Sequence, residues 1–191
     1  MGKPERRRVL DVDLEFLLPP RAMADVNTKA YTPVAFSHLL ERETRRAVRY
    51  QDAFAIIYVA LDRNPQAGDQ PVGETELAIV AENIWQEIRG TDLIGRRGQM
   101  FSVLLLYVNE RDTEKVAERV RGRIQNYAFP GGTRDAQIRR TVSIGGVCFP
   151  LHARDSSLLK EQGLSCLRRA QTQGGNRVLL FDGTRSEEGD R

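Results

Sequence analysis

The sequence predicts an α/β domain: one mixed sheet of about five strands with helices on both faces. Three observations lead there. Strand-length apolar runs alternate with segments of helical period. One run, residues 53–61, is apolar on both faces and belongs at the centre of a covered sheet. Two extended pieces, Leu93–Gly95 and Phe101–Val108, flank a short tip and read as a hairpin, which makes the pairing mixed rather than parallel.

The elements follow in order. Residues 1–33 are charged, then punctuated by prolines, and read as an N-terminal arm or linker. Residues 34–50 carry Phe36, Leu39, Leu40 and Ala47 at helical spacing, with arginines on the other face. The central strand comes next, then a loop rich in Gly, Pro and Gln that runs to Gly73. Leu77, Val80, Ala81, Ile84 and Ile88 define a second helix, which leads into the hairpin. A third helix spans about Asp112 to Tyr127, with Val116, Val120 and Ile124 in a row. "RTVSIGGVCF" (140–149) is a strand whose glycine pair suits a bend or a close backbone approach. Leu159, Gly163, Cys166, Leu167 and Ala170 give a last helix, and residues 177–182 a last strand. The folded domain is therefore expected over residues 34–182, with 183–191 as a disordered tail.

Composition limits function only loosely. The chain has 191 residues, 40% hydrophobic and 29% charged, with a net charge of +3. That length suits one domain with a real core. The mild basicity is compatible with an anionic ligand and too weak to argue for nucleic acid. The apolar runs are too short to insert in a membrane, and the basic opening is followed by acidic residues rather than a signal peptide's apolar stretch. Cys148 and Cys166 lack metal-ligand spacing and suit buried thiols in a reducing cytoplasm.

The element order, with the texts "TVSIGGV" and "QGGNRVLLF", resembles the GGDEF family of diguanylate cyclases. The resemblance covers about residues 25 to 182. Asp25, Thr28 and Phe36 match the family's D-x-L-T-G-L-x-N-R-x-x-F spacing. "VAENIWQEIRGTDLIGR" matches the helix leading into the signature hairpin, and "EKVAERVRGRI" the helix after it. The resemblance implies a palm-like domain with a mainly antiparallel central sheet, in a bacterial signalling protein. In the family, this palm joins two GTP molecules into cyclic di-GMP.

The chain departs from the family where the chemistry sits. Phosphodiester formation needs divalent metal ions held by hard oxygen ligands. The family supplies carboxylates from the end of the first strand and from the signature turn. Here Ala60 stands at the first position, two residues before Asp62, and the turn reads Arg97, Gly98, Gln99, Met100, Phe101. Arg97 replaces a glycine that lets the backbone approach the nucleotide. Glu74 is the nearest match to the guanine-binding acid, and Gln171 replaces a lysine. These departures predict a degenerate domain that is not an enzyme, with no catalytic residues, no magnesium site and no required cofactor.

The resemblance also implies a product-binding site. Its mark is R-x-x-D before the turn, assisted by an arginine on the next helix: here Arg89, Asp92 and Arg119. An arginine fork can donate twice to guanine O6 and N7. A carboxylate can accept from the N1–H and N2 edge. The domain is thus expected to receive cyclic di-GMP and signal through a homodimer or protein partner, with Arg96 and Arg97 as auxiliary contacts. R-x-x-D alone says little, since Arg8/Asp11 and Arg49/Asp52 also spell it. Surface salt bridges remain the other reading of the trio, and solvated loop charges that of Arg96 and Arg97. Two alternatives stay open: a protein-interaction scaffold that binds no nucleotide, and a GTP-sensing regulatory domain.

Overall fold

Helix α1 (Pro33–Tyr50) starts where Thr32 accepts a hydrogen bond from the Ala35 amide and Pro33 presets the first turn. It stops at Gln51, which takes a left-handed conformation. The computed structural model that shows this describes residues 23–63, 72–130 and 138–183. The remaining elements are β1 (Phe54–Leu61), α2 (Glu74–Trp85), β2 (Leu93–Arg97), β3 (Met100–Leu106), α3 (Glu110–Asn126), β4 (Val142–Phe149), α4 (Ser156–Thr172) and β5 (Val178–Leu180). The strands lie in the order β2-β3-β1-β4-β5. Only β4–β5 is parallel; the other three pairings are antiparallel. The mixed, mainly antiparallel sheet read from the sequence is the one observed.

Because side chains alternate along a strand, β1 feeds two cores. Ala55, Ile57 and Val59 face Leu77, Val80 and Ile84 of α2 and Val120 and Ile124 of α3. Phe54, Ile56 and Tyr58 face Phe36 and Leu40 of α1 and Leu159 and Leu167 of α4. Each fully buried Ile, Leu or Phe contributes roughly 1.5–3 kcal/mol through the water it leaves. All eight residues of β4 are buried, as a strand covered on both faces must be. The glycine pair of β4 serves close approach rather than a bend. A Cβ on Gly145 would lie 2.1 Å from the Leu167 amide nitrogen and 2.5 Å from the Gly163 carbonyl oxygen, so α4 rests its backbone on the strand.

Three boundaries differ from the sequence reading. Ile88 has helical spacing, yet α2 ends at Trp85, and Ile88 packs against the core from the following turn. At the turn the hairpin strands run further than expected, to Arg97 and from Met100, leaving only Gly98 and Gln99, while β3 ends at Leu106 rather than Val108. The segment read as an arm divides. Residues 1–22 lie outside the described residues, while Tyr31 takes a place beside β2, its amide donating to Ile94 O at 2.7 Å and its carbonyl accepting from Arg96 N at 2.9 Å. In the tail, residues 184–191 lie outside the described residues.

Candidate functional site

The turn between α2 and β2 holds the R-x-x-D residues. Asp92 is buried, 4% exposed, and both carboxylate oxygens accept from backbone amides: Oδ2 from Arg89 at 2.9 Å and Oδ1 from Leu106 at 2.9 Å. The Asp92 amide in turn donates to Arg89 O at 2.9 Å. The carboxylate therefore ties the turn to the end of β3. Burial pushes its pKa up, opposed by the two amides and by the charge of Arg89. Asp92 forms no ion pair with the Arg89 guanidinium, so the salt-bridge reading does not describe this pair. Arg89 is exposed, and its guanidinium donates to no acceptor among the described residues.

Arg119, on α3, reaches the same turn. Its Nε donates to Glu87 Oε2 at 2.9 Å and its Nη2 to Glu87 O at 2.7 Å. Glu87 also pairs with Arg123 at 3.1 Å. Glu87 went unread in the sequence: nothing in its spacing announces that a turn two residues before Arg89 will receive arginines from a helix more than thirty positions away. The three residues singled out as a unit thus lie around one turn, with Glu87 as the member that places Arg119.

The hairpin tip is a different place. Gly98 takes φ +59°, the left-handed conformation that a two-residue hairpin turn demands at its first position. Arg97, Gly98 and Gln99 are exposed, Met100 is half-buried, and Phe101 is buried among the α2 and α3 side chains. Roughly 13 Å of strand separates Leu93, beside the R-x-x-D turn, from Arg97. Arg96 is not an exposed loop charge and is not free for a ligand. Its side chain is 9% exposed, with Nη1 3.0 Å from Asp25 Oδ1 and Nη2 2.6 Å from Glu74 Oε1. Asp25 Oδ1 also accepts from the Thr28 hydroxyl at 2.7 Å and its amide at 2.9 Å. Burial raises the Asp25 pKa, but the Thr28 bonds and Arg96 outweigh it and hold the carboxyl below its ordinary value. The matched residues Asp25 and Thr28 therefore lock the N-terminal segment to the hairpin and to the start of α2.

At the positions where the family resemblance implies metal-holding acids, Ala60 and Met100 face each other across β1 and β3. Neither offers an oxygen ligand. Asp62, just beyond β1, has its carboxylate engaged by the Thr141 hydroxyl at 2.7 Å, the Ser143 hydroxyl at 2.5 Å and the Asn176 amide at 2.8 Å. Among the described residues no group of three or more His, Cys, Asp or Glu could hold a metal ion. The side chains at this pair of positions do not fit a magnesium pair.

Comparison with known proteins bears on the whole domain. The family model described as "Diguanylate cyclase, GGDEF domain" matches residues 22–177. The diguanylate cyclase DosC of Escherichia coli (strain K12) is 26% identical over 161 residues, covering 82% of this chain and 35% of its own length. The chain thus spans about a third of that relative. Among solved structures, the GGDEF domain of PA1120 (TpbB or YfiN) from Pseudomonas aeruginosa superposes with a TM-score of 0.76 at 22% identity, covering 84% of this chain and 95% of that one. The coiled coil and GGDEF domain of DgcB from Caulobacter crescentus, in complex with c-di-GMP, gives 0.74 at 18% identity, covering 83% and 85%. No helix among the described residues is long and apolar enough to cross a membrane. The expectation that this chain is not an enzyme is overturned: the matching family and the curated relative are diguanylate cyclases. That expectation rests on departures taken together, at Ala60, Arg97, Met100, Glu74 and Gln171, and they do not outweigh a match to this family that runs the length of the domain. The chain belongs to the diguanylate cyclase GGDEF domain family.

Proposed function

We propose that this GGDEF domain binds cyclic di-GMP at the turn between α2 and β2. Arg89 donates to the O6 and N7 edge of one guanine, and Arg119 approaches the phosphate or second base from α3. Asp92 holds the turn and, through the remaining lone pairs of its carboxylate, accepts from the guanine N1–H and N2 edge. The observation that carries this reading is the exposed Arg89 guanidinium, free of acceptors among the described residues, on a turn whose backbone is fixed by a buried carboxylate. A fixed turn has no backbone to order on binding, and the cost left is the rotamer freedom of the Arg89 side chain, roughly 0.5–1.5 kcal/mol. The DgcB neighbour, solved with c-di-GMP, supports the ligand class. Binding would bias a dimer or a partner surface to the extent that the ligand prefers one state over the other.

The test is a calorimetric titration of cyclic di-GMP into wild-type protein and Arg89→Ala, with product formation from GTP measured alongside. A bidentate arginine–guanine contact contributes roughly 1–3 kcal/mol, so affinity should fall by roughly 5- to 150-fold in the variant. Its thermal melt should move little, because the Arg89 guanidinium bonds to no acceptor among the described residues and acts on the fold only through its charge on Asp92. Equal affinity in both proteins would remove the site assignment, and no heat in either would remove the ligand.

A further inference from the structure

On the α1 and α4 side of the sheet, beside Met100, a cleft of about 90 Å³ opens between α1, α4 and the hairpin. Its floor includes Tyr58 and Ser102, which face each other across β1 and β3. The two residues are 4% and 9% exposed. Neither hydroxyl has a hydrogen-bond partner among the described residues, and neither is sealed from solvent, so both open into the cleft. Nearly buried hydroxyls without a partner are unusual in a folded protein. The walls are apolar: Phe36 and Pro33 from α1, Leu164 from α4, and Met100. Phe36 can lie this close to the hairpin only because Gly95 has no side chain; a Cβ there would be 2.5 Å from the ring.

The charge of the lining is one-sided. Lys160 and Arg97 border the cleft, and no carboxylate does. The Lys160 ammonium donates to the Ser37 hydroxyl at 2.7 Å and has no acid partner among the described residues. Arg97 is exposed and likewise unpaired among the described residues. Arg96 also borders the cleft, but Asp25 and Glu74 neutralise it from outside. Two cations, two unpaired hydroxyl donors and an apolar wall fit an anion with an apolar body, too small to be a nucleotide.

We propose that this cleft is a binding site for a small carboxylate carrying an apolar or aromatic body. The body packs against Phe36, Met100 and Leu164. The carboxylate accepts from the Tyr58 and Ser102 hydroxyls and faces Lys160 and Arg97. Burial pushes the Tyr58 phenol upward in pKa, so it remains a donor throughout the neutral range. The site is separate from the Arg89 turn, and its test stands whatever the outcome there.

Benzoate is the probe, titrated into the full chain and followed by amide chemical shifts. Saturable shifts should cluster on the starts of α1 and the hairpin and on the middle of α4. Lys160→Met and Tyr58→Phe should each weaken binding roughly tenfold, the loss expected for one hydrogen bond to a charged group. Arg89→Ala should bind benzoate like wild type. Benzyl alcohol, with the ring and no charge, should bind far more weakly. Lys160 is half-buried on a helix, so its variant keeps the fold even if Tyr58→Phe does not. Absence of saturable shifts, undiminished binding in Lys160→Met, or inorganic phosphate binding as tightly as benzoate would each overturn the assignment.

Discussion

Replacing Asp62 by alanine tests whether its carboxylate is a structural pin. Three donors converge on it from separate parts of the chain: Thr141 and Ser143 at β4, and Asn176 in the loop before β5. Hydrogen bonds to a charged group contribute roughly 1.5–3 kcal/mol each, but the three are not independent losses. Thr141 and Asn176 are half-exposed and will find water when the acceptor goes. Ser143 is 0% exposed and will not. Its stranded hydroxyl costs roughly 1–3 kcal/mol, and the lost charge-assisted bonds bring the expected destabilisation to roughly 2–4 kcal/mol. For a domain of this size, each kcal/mol lowers Tm by roughly 2–4 °C. Urea unfolding followed by circular dichroism measures it directly. An Asp62→Ala, Ser143→Ala double variant should recover part of the loss, because the stranded donor is gone. A loss under about 1 kcal/mol for Asp62→Ala would refute the reasoning, since three bonds seen at 2.5–2.8 Å would then hold nothing together.

Three other outcomes follow from particular contacts. Gly145→Ala should cost about 3 kcal/mol or prevent folding, because the new methyl meets the backbone of α4 rather than a side chain that can turn away; a urea midpoint equal to wild type would contradict the close approach. Asp25 has a folded pKa below its ordinary value of 3.8, so its stabilisation is present above that value and is lost as pH falls through the lower folded one. The stability gap between wild type and Asp25→Asn should therefore narrow between pH 5 and pH 3, and a gap that widens on acidification would reverse the sign argued here. Cys148 and Cys166 are buried free thiols, Cys148 pushed up to about 11 by burial, so iodoacetamide at pH 8 should label neither in the native protein and both in urea. Native labelling at the rate of a free thiol, read by mass spectrometry, would show that the core opens around them.

The fold was legible because its information is local and periodic. The β1 run, apolar at every position, could only be a covered strand. The stripes on α1 and α4 marked the faces that now bury Phe36, Leu40, Leu159 and Leu167. What periodicity missed was interruption. Ile88 keeps helical spacing, yet Asp92, four residues on, captures the Arg89 amide with a side-chain oxygen and sets a turn instead. Short side-chain bonds to nearby backbone compete with helix in this way, and one aspartate outweighed a repeat of five apolar positions. The N-terminal segment was lost for a related reason. Tyr31 joins the edge of β2 through two backbone bonds, and a single bridge leaves no alternating pattern to read.

The candidate site divided along a different line. Residue type named four arginines, Arg89, Arg96, Arg97 and Arg119, but it could not say which charges the fold would leave unpaired. Arg96 stood at an apparent hairpin tip and is 9% exposed between two acids, one from a segment read as an arm and one from the start of a helix. Arg89 and Arg97 are identical in composition terms and remain open. An arginine can recognise an anion only with the charge its neighbours leave to it, and those neighbours are fixed by tertiary contacts over some twenty to seventy positions. The two open arginines also lie at opposite ends of β2, so a ligand gripped by Arg89 and one facing Arg97 are different ligands. Affinity for cyclic di-GMP should then depend on Arg89 and not on Lys160, and affinity for benzoate on Lys160 and not on Arg89. Measuring all four combinations separates the two sites, and a shared dependence would mean that the length of β2 does not keep them apart.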